Sequence, residues 1–148
     1  MPDAAIVKEV QVTLDFNASD IELEAAERVG VVAQSIGMSA DKIDEVRMAV
    51  VEACINAVEH SGSADGELHL GIAVLRESGG TAEESLQVTI SDHGVGFDPD
   101  KLVEPDIGKK LKAANKRGWG LKIIEGLMDR VDVRSGARGT SVVMSKHR

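Results

Sequence analysis

Residues 8–16 alternate, with Val10, Val12, Leu14 and Phe16 on one side and mostly polar residues between them, the period of a half-buried strand. Ser19-Asp-Ile-Glu22 has the spacing of a capping box, so the pattern predicts a helix from residue 20 to about Gly37. Ser39 opens a second predicted helix that runs to about His60. Leu68, Leu70, Ile72 and Val74 alternate, as do Leu86, Val88 and Ile90, and the polar, glycine-containing stretch 76–84 joins these two strands as a hairpin. After Asp92 the regular pattern stops. Residues 93–118 hold Gly94, Gly96, Pro99, Pro105 and Gly108, and a loop of that length inside a domain is typically a functional lid or disordered. Helical periodicity returns over 120–128, with Leu121, Ile124, Leu127 and Met128 on the inner side. Val131 and Val133, the turn Ser135–Gly139, and Val142 to Met144 make a last hairpin. This order predicts a single α+β domain over residues 1–148: a two-layer α/β sandwich, with a mixed sheet carrying helices on one face and 98–117 as a lid.

The bulk numbers narrow the setting. Hydrophobic residues make up 43% of the 148, enough for a packed interior, and no stretch approaches the roughly 20 apolar residues that span a bilayer. MPDAAIVKEV lacks a basic leader followed by an apolar run, so no export signal is read and no membrane partner is expected. Cys54 is the sole cysteine, which excludes an internal disulfide and suits the reducing cytoplasm; its apolar helical surroundings assign it to the core. A net charge of −8 is a poor match for a nucleic-acid backbone. Yet Lys109, Lys110, Lys112, Lys116, Arg117 and Lys122 fall in one segment without an acidic residue, where polyphosphate would need countercharge.

Candidate chemistry begins on the second helix. On a helical wheel Ile43, Val46, Val50, Cys54 and Val58 form the expected buried stripe. Glu52 lies almost opposite, Asn56 follows one turn later on the same side, and Ala49 and Ala53 adjoin them and leave space. Asn is a mediocre helix former, with a better use here as a ligand. A carboxylate and a carboxamide oxygen one turn apart can serve as a base and as a hard-metal ligand; Mg²⁺ commonly takes one or two protein oxygens plus phosphates and water.

Three glycine turns follow. Asp92 ends a strand and leads into His-Gly-Val-Gly-Phe; its carboxylate can accept from the N6 amine of adenine while Gly94 and Gly96 let backbone approach the ring. Guanine would set its O6 acceptor against that carboxylate. Arg117-Gly118-Trp119-Gly120-Leu121 opens a helix whose free amides suit an anion, and Trp119 either covers the nucleotide or packs. Gly136-Ala-Arg-Gly139-Thr140 leads into the last strand, from which Thr140 reaches the adenine or Asp92, directly or through water.

This ordered set resembles the GHKL ATPase superfamily of Bergerat-fold domains, and within it the anti-sigma-factor serine kinases. Val50-Val-Glu-Ala-Cys-Ile-Asn-Ala-Val-Glu-His60 is similar to that family's N-box, Ser91-Asp-His-Gly-Val-Gly-Phe97 to its first glycine box, and Arg117-Gly-Trp-Gly-Leu-Lys-Ile-Ile124 to its second. The resemblance implies ATP and Mg²⁺ as cofactors. It makes Glu52 the general base for an attacking serine hydroxyl, Asn56 the Mg²⁺ ligand and Asp92 the adenine-specific carboxylate. Gly94, Gly96, Gly118 and Gly120 become backbone contacts to the nucleotide, and Lys116 or Arg117 contacts the terminal phosphates. It also implies a cytoplasmic homodimer that sequesters a sigma factor and phosphorylates a serine on an anti-anti-sigma (STAS-type) antagonist. Glu24 and Arg28 on the first helix look like the partner patch, with a plain i,i+4 ion pair as the competing account. Two alternatives remain: a nucleotide-gated anti-sigma binding protein without useful kinase activity, and a sister switch kinase that holds no sigma factor. His60 and His93, single histidines beside the N-box and first glycine box, read as structural or as tuning the site.

Overall fold

A computed structural model describes residues 4–15, 17–60, 66–77, 83–93, 121–136 and 139–148. Phe16 and the lid 98–117 lie outside them. The described elements are β1 (Ala4–Asp15), α1 (Ile21–Ser35), α2 (Ala40–His60), β2 (Glu67–Glu77), β3 (Glu84–Asp92), α3 (121–127), β4 (Arg130–Gly136) and β5 (Gly139–His147). Every predicted element is present in the predicted order.

The ends of α1 and α2 are set by local chemistry. The capping box expected at Ser19 does not form. Asp20 takes the N-cap position in the left-handed region (φ 58°, ψ 36°) without a side-chain cap. Its carbonyl accepts the amides of Leu23 and Glu24 at 3.0 and 3.1 Å, and Glu22 and Glu24 place negative charge against the positive end of the helix. At the other end Gly37 adopts φ +79°. Its amide bonds Gln34 O at 3.0 Å and the Met38 amide reaches back to Ala33 O at 3.2 Å, the paired bonds of a Schellman cap. The turn then delivers Ser39, whose Oγ accepts the Lys42 amide at 3.3 Å and starts α2.

The five strands lie in the order β1-β2-β3-β5-β4, and every neighbouring pair is antiparallel. The expectation of a mixed sheet is corrected here. Two antiparallel helices bring the chain from the end of β1 back to the same edge, so β2 must run the opposite way. β4 points the same way as β3, but β5 inserts between them and removes the parallel contact.

Alternation then decides the core. Leu68, Leu70, Ile72 and Val74 of β2, Leu86, Val88 and Ile90 of β3 and Met144 of β5 face the helices. They pack there against Ala25, Val29 and Ala33 of α1, Val46, Val50 and Cys54 of α2, and Ile124 of α3. Burying each large side chain contributes roughly 1.5–3 kcal/mol relative to leaving it exposed. The buried arc of α2 is rotated from the predicted stripe. Ala49 and Ala53 are fully buried, whereas Val58 is 40% exposed. Ala53 lines a cleft together with Ile90 of β3, so a small residue sits where α2 meets the sheet.

Candidate nucleotide-binding site

That rotation brings Asn56 to the edge of the buried arc, with Glu52 about 40° farther round toward solvent. Asn56, Ala53 and Ala57 of α2 form one wall of a cleft of about 410 Å³, counting its open mouth. Ile90 and Asp92 of β3, Leu121 and Ile124 of α3, Val133 of β4, and Thr140 and Val142 of β5 complete it. The mostly apolar lining with a few convergent polar groups suits a small organic ligand. Among the described residues, Asn56, Asp92 and Thr140 are its polar groups.

Each is held differently. Asp92 is the inward-facing last residue of β3 and is 5% exposed. Its Oδ1 accepts the Thr140 amide at 3.4 Å. The contact depends on Gly139, where φ is +127° and any Cβ would collide with the Asp92 carbonyl, 2.8 Å from its carbon and 2.9 Å from His93 Cα. Only glycine lets the start of β5 pass this close to the end of β3. The Thr140 hydroxyl pairs with Ser135 Oγ at 2.9 Å across the β4–β5 hairpin, which fixes the rotamer it presents to the cleft. Asn56 has a buried amide group, Nδ2, with no hydrogen-bond partner among the described residues. Such a group costs about 1–3 kcal/mol until something fills its valence. A half turn of the carboxamide would offer the oxygen there instead.

The cleft therefore unites Asn56, Asp92, Leu121 and Thr140 from the sequence-based set. Glu52 is half-buried, one turn before Asn56, and does not line it. Gly94, Gly96, Lys116, Arg117, Gly118, Trp119 and Gly120 lie outside the described residues. Glu24 and Arg28 form the i,i+4 ion pair at 3.3 Å with both side chains half exposed, so the plain account of that patch holds as a contact. His93 is exposed, its ring 4.7 Å from that of His69. Sequence reasoning missed Ser135, Val133 and the steric need for Gly139 at this site. Strand register shows Ser135 opposite Thr140 only once the hairpin is closed.

Comparison with known proteins gives a consistent picture. The histidine kinase-like ATPase domain family matches residues 16–146. The serine-protein kinase RsbW of Bacillus subtilis (strain 168) is 32% identical over 148 residues, covering 88% of this chain and 87% of that protein. Its namesake in Bacillus cereus (strain Q1) is 33% identical over 121 residues, 78% of this chain and 71% of that one. Among solved structures, the RsbU and RsbW domains of a Mycobacterium tuberculosis protein match with a TM-score of 0.66 at 19% identity. That alignment covers 96% of this chain but 33% of the longer protein. A histidine kinase domain from Erythrobacter litoralis matches with a TM-score of 0.50 and 19% identity, over 82% of this chain and 64% of that one. At that identity the solved structures establish the fold alone.

Proposed function

The chain belongs to the histidine kinase-like ATPase domain family and is a protein kinase akin to the serine-protein kinases, and from that premise we propose that the cleft around Asn56 and Asp92 is its ATP site. One observation carries this reading: among the described residues, an apolar slot has as its polar groups a buried carboxylate, a threonine and a carboxamide whose Nδ2 is unpartnered. Asp92 accepts from the N6 amine of adenine, and Thr140, held by Ser135, supplies a second polar contact. Asn56 suits Mg²⁺ because a carboxamide whose Nδ2 has no partner among the described residues can turn its oxygen toward a cation; that ion would supply charge neutralisation at the phosphates. The backbone of Gly94, Gly96, Gly118 and Gly120, and Lys116 or Arg117 from the lid 98–117, hold the remaining nucleotide. Trp119 and Leu121 flank it, and residues 1–148 act as one domain. Glu52 stands outside the slot, where it can take the proton of an incoming serine hydroxyl as the oxygen attacks the γ-phosphate.

The finer reading is an anti-sigma factor that works in the cytoplasm as a homodimer. It holds a sigma factor, with Glu24 and Arg28 in the contact, and phosphorylates a serine on an anti-anti-sigma (STAS-type) antagonist. Phosphorylation adds about −1.5 to −2 charges to that antagonist, enough to repel it from an acidic kinase. The names of the Bacillus relatives support a kinase acting on serine. The experiment mixes the protein with radiolabelled ATP and candidate antagonists from its genome. Serine labelling is expected, and Glu52→Ala is expected to abolish it while ATP binding persists. ATP binding without labelling of any candidate would instead favour the nucleotide-gated binding protein.

A further inference from the structure

Two charged or polar side chains are buried among the described residues: Asp92, which belongs to the cleft, and Lys146, which is 7% exposed and has no part in it. Lys146 continues the inward row of β5 after Val142 and Met144. A hydrophobic residue would be expected in that register. Its Nζ donates to Leu127 O, at the last helical residue of α3, at 2.6 Å, and reaches Glu45 Oε2 of α2 at 3.4 Å. The Glu45 side chain is 42% exposed, and an ion pair open to solvent at one end contributes little to stability. Stability is therefore a weak reason for a lysine here.

The geometry points to a different role. The ammonium meets α3 at its negative, C-terminal end, where a cation is favoured. Beside it the Asp129 amide bonds Ser145 O at 3.0 Å, and Asp129 Oδ2 accepts the His147 amide at 2.7 Å. The base of α3 is thus tied to the end of β5 and, through Lys146 and Glu45, to α2. The other end of this short helix lies about 9 Å away and supplies Leu121 and Ile124 to the cleft. Such a short helix moves as one body. We infer that Lys146 is a positioning residue for the nucleotide site: its ammonium clamps the foot of α3 so that Leu121 and Ile124 are set against α2 and Asp92 before ATP arrives. This rests on the ATP reading of the cleft, and the test separates the two.

Wild-type protein, Lys146→Met and Lys146→Arg are compared for ATP affinity by titration, for melting temperature, and for hydrogen exchange over residues 121–127. Met keeps the apolar stem and removes the clamp. If the set position of α3 is then occupied about a tenth of the time, the ATP dissociation constant rises about tenfold. The melting temperature is expected to fall by no more than about a few degrees, since the Leu127 carbonyl loses its donor, exchange in α3 to quicken, and Lys146→Arg to bind ATP within a few-fold of wild type. Lys146→Met with wild-type affinity overturns the clamp. So does a variant that loses fold and affinity together, which is the signature of a merely structural lysine. A wild-type protein that binds no ATP removes the reading of the cleft itself, and the clamp with it.

Discussion

Gly139 and Cys54 place opposite demands on single positions. At Gly139 a methyl group would have to occupy the Asp92 carbonyl, at a backbone angle of φ +127° that L side chains rarely adopt. Gly139→Ala is therefore expected to cost at least about 1–3 kcal/mol, seen in denaturant unfolding, and to weaken ATP binding because β5 must withdraw from Asp92. A variant with unchanged stability and affinity would break the link between this glycine and the site. Cys54 is fully buried, and burial first, then the negative charge of Glu22, pushes its thiol from 9.0 up to about 12. The unfolded chain releases that proton near pH 9 and the folded one does not, so the folded state binds more protons between pH 9 and about 12. The thiol's contribution is complete below pH 9 and falls as pH rises, by about 1.4 kcal/mol per unit. Urea unfolding of wild type and Cys54→Ala from pH 8 to 10.5 checks this: the variant starts lower, through its small cavity, and then declines less steeply. Parallel curves would contradict it.

Elements obey rules that differ in how far sequence alone reveals them. The junction of α1 and α2 was legible because its signals are local: Gly37 for the left-handed position and Ser39 for the next cap. Gly37→Ala forces a Cβ into φ +79° with nothing nearby to clash, so the cost is conformational only, about 1–2 kcal/mol. Chemical denaturation should report that loss with ATP affinity unaltered, since no residue of the junction lines the cleft. At the start of α1 the capping-box spacing misled, because Asp20 turned left-handed and used its backbone carbonyl instead of a neighbouring hydroxyl. The stripe on α2 was legible to within a rotation. Helical period identified a buried face but could not say that alanines would face the sheet, which is a matter of packing distance. Asn56, Asp92 and Thr140 could be read from order and spacing. Ser135 and Lys146 could not, since their partners are set by hairpin register and by three elements meeting. The one trace Lys146 leaves in the sequence is a charged residue at an inward position of an alternating strand.

For the molecule as a whole, the open cleft and the core share their walls. Ile90, Ile124, Ala53 and Val142 belong both to the lining and to the hydrophobic cluster or its margin. A ligand that fills the cleft would complete that packing and could partner Asn56 Nδ2, which has no partner among the described residues. Binding to the native state alone must raise stability, by about 2.7 kcal/mol at a hundred times the dissociation constant. For a chain of 148 residues that corresponds to a rise in melting temperature of roughly 5–10 °C. The identity of the base decides who obtains it. Adenine offers an amine to the Asp92 carboxylate, whereas guanine offers a carbonyl oxygen, which would set an acceptor against a carboxylate that is itself only 5% exposed. Melting curves with Mg·ATP should therefore shift upward, while equal concentrations of Mg·GTP leave the transition near its unliganded value. Asp92→Asn, which can turn an amide toward guanine O6, should shrink the ATP shift and enlarge that of GTP. Equal shifts with both nucleotides, unaltered in Asp92→Asn, would mean that the base does not meet this carboxylate.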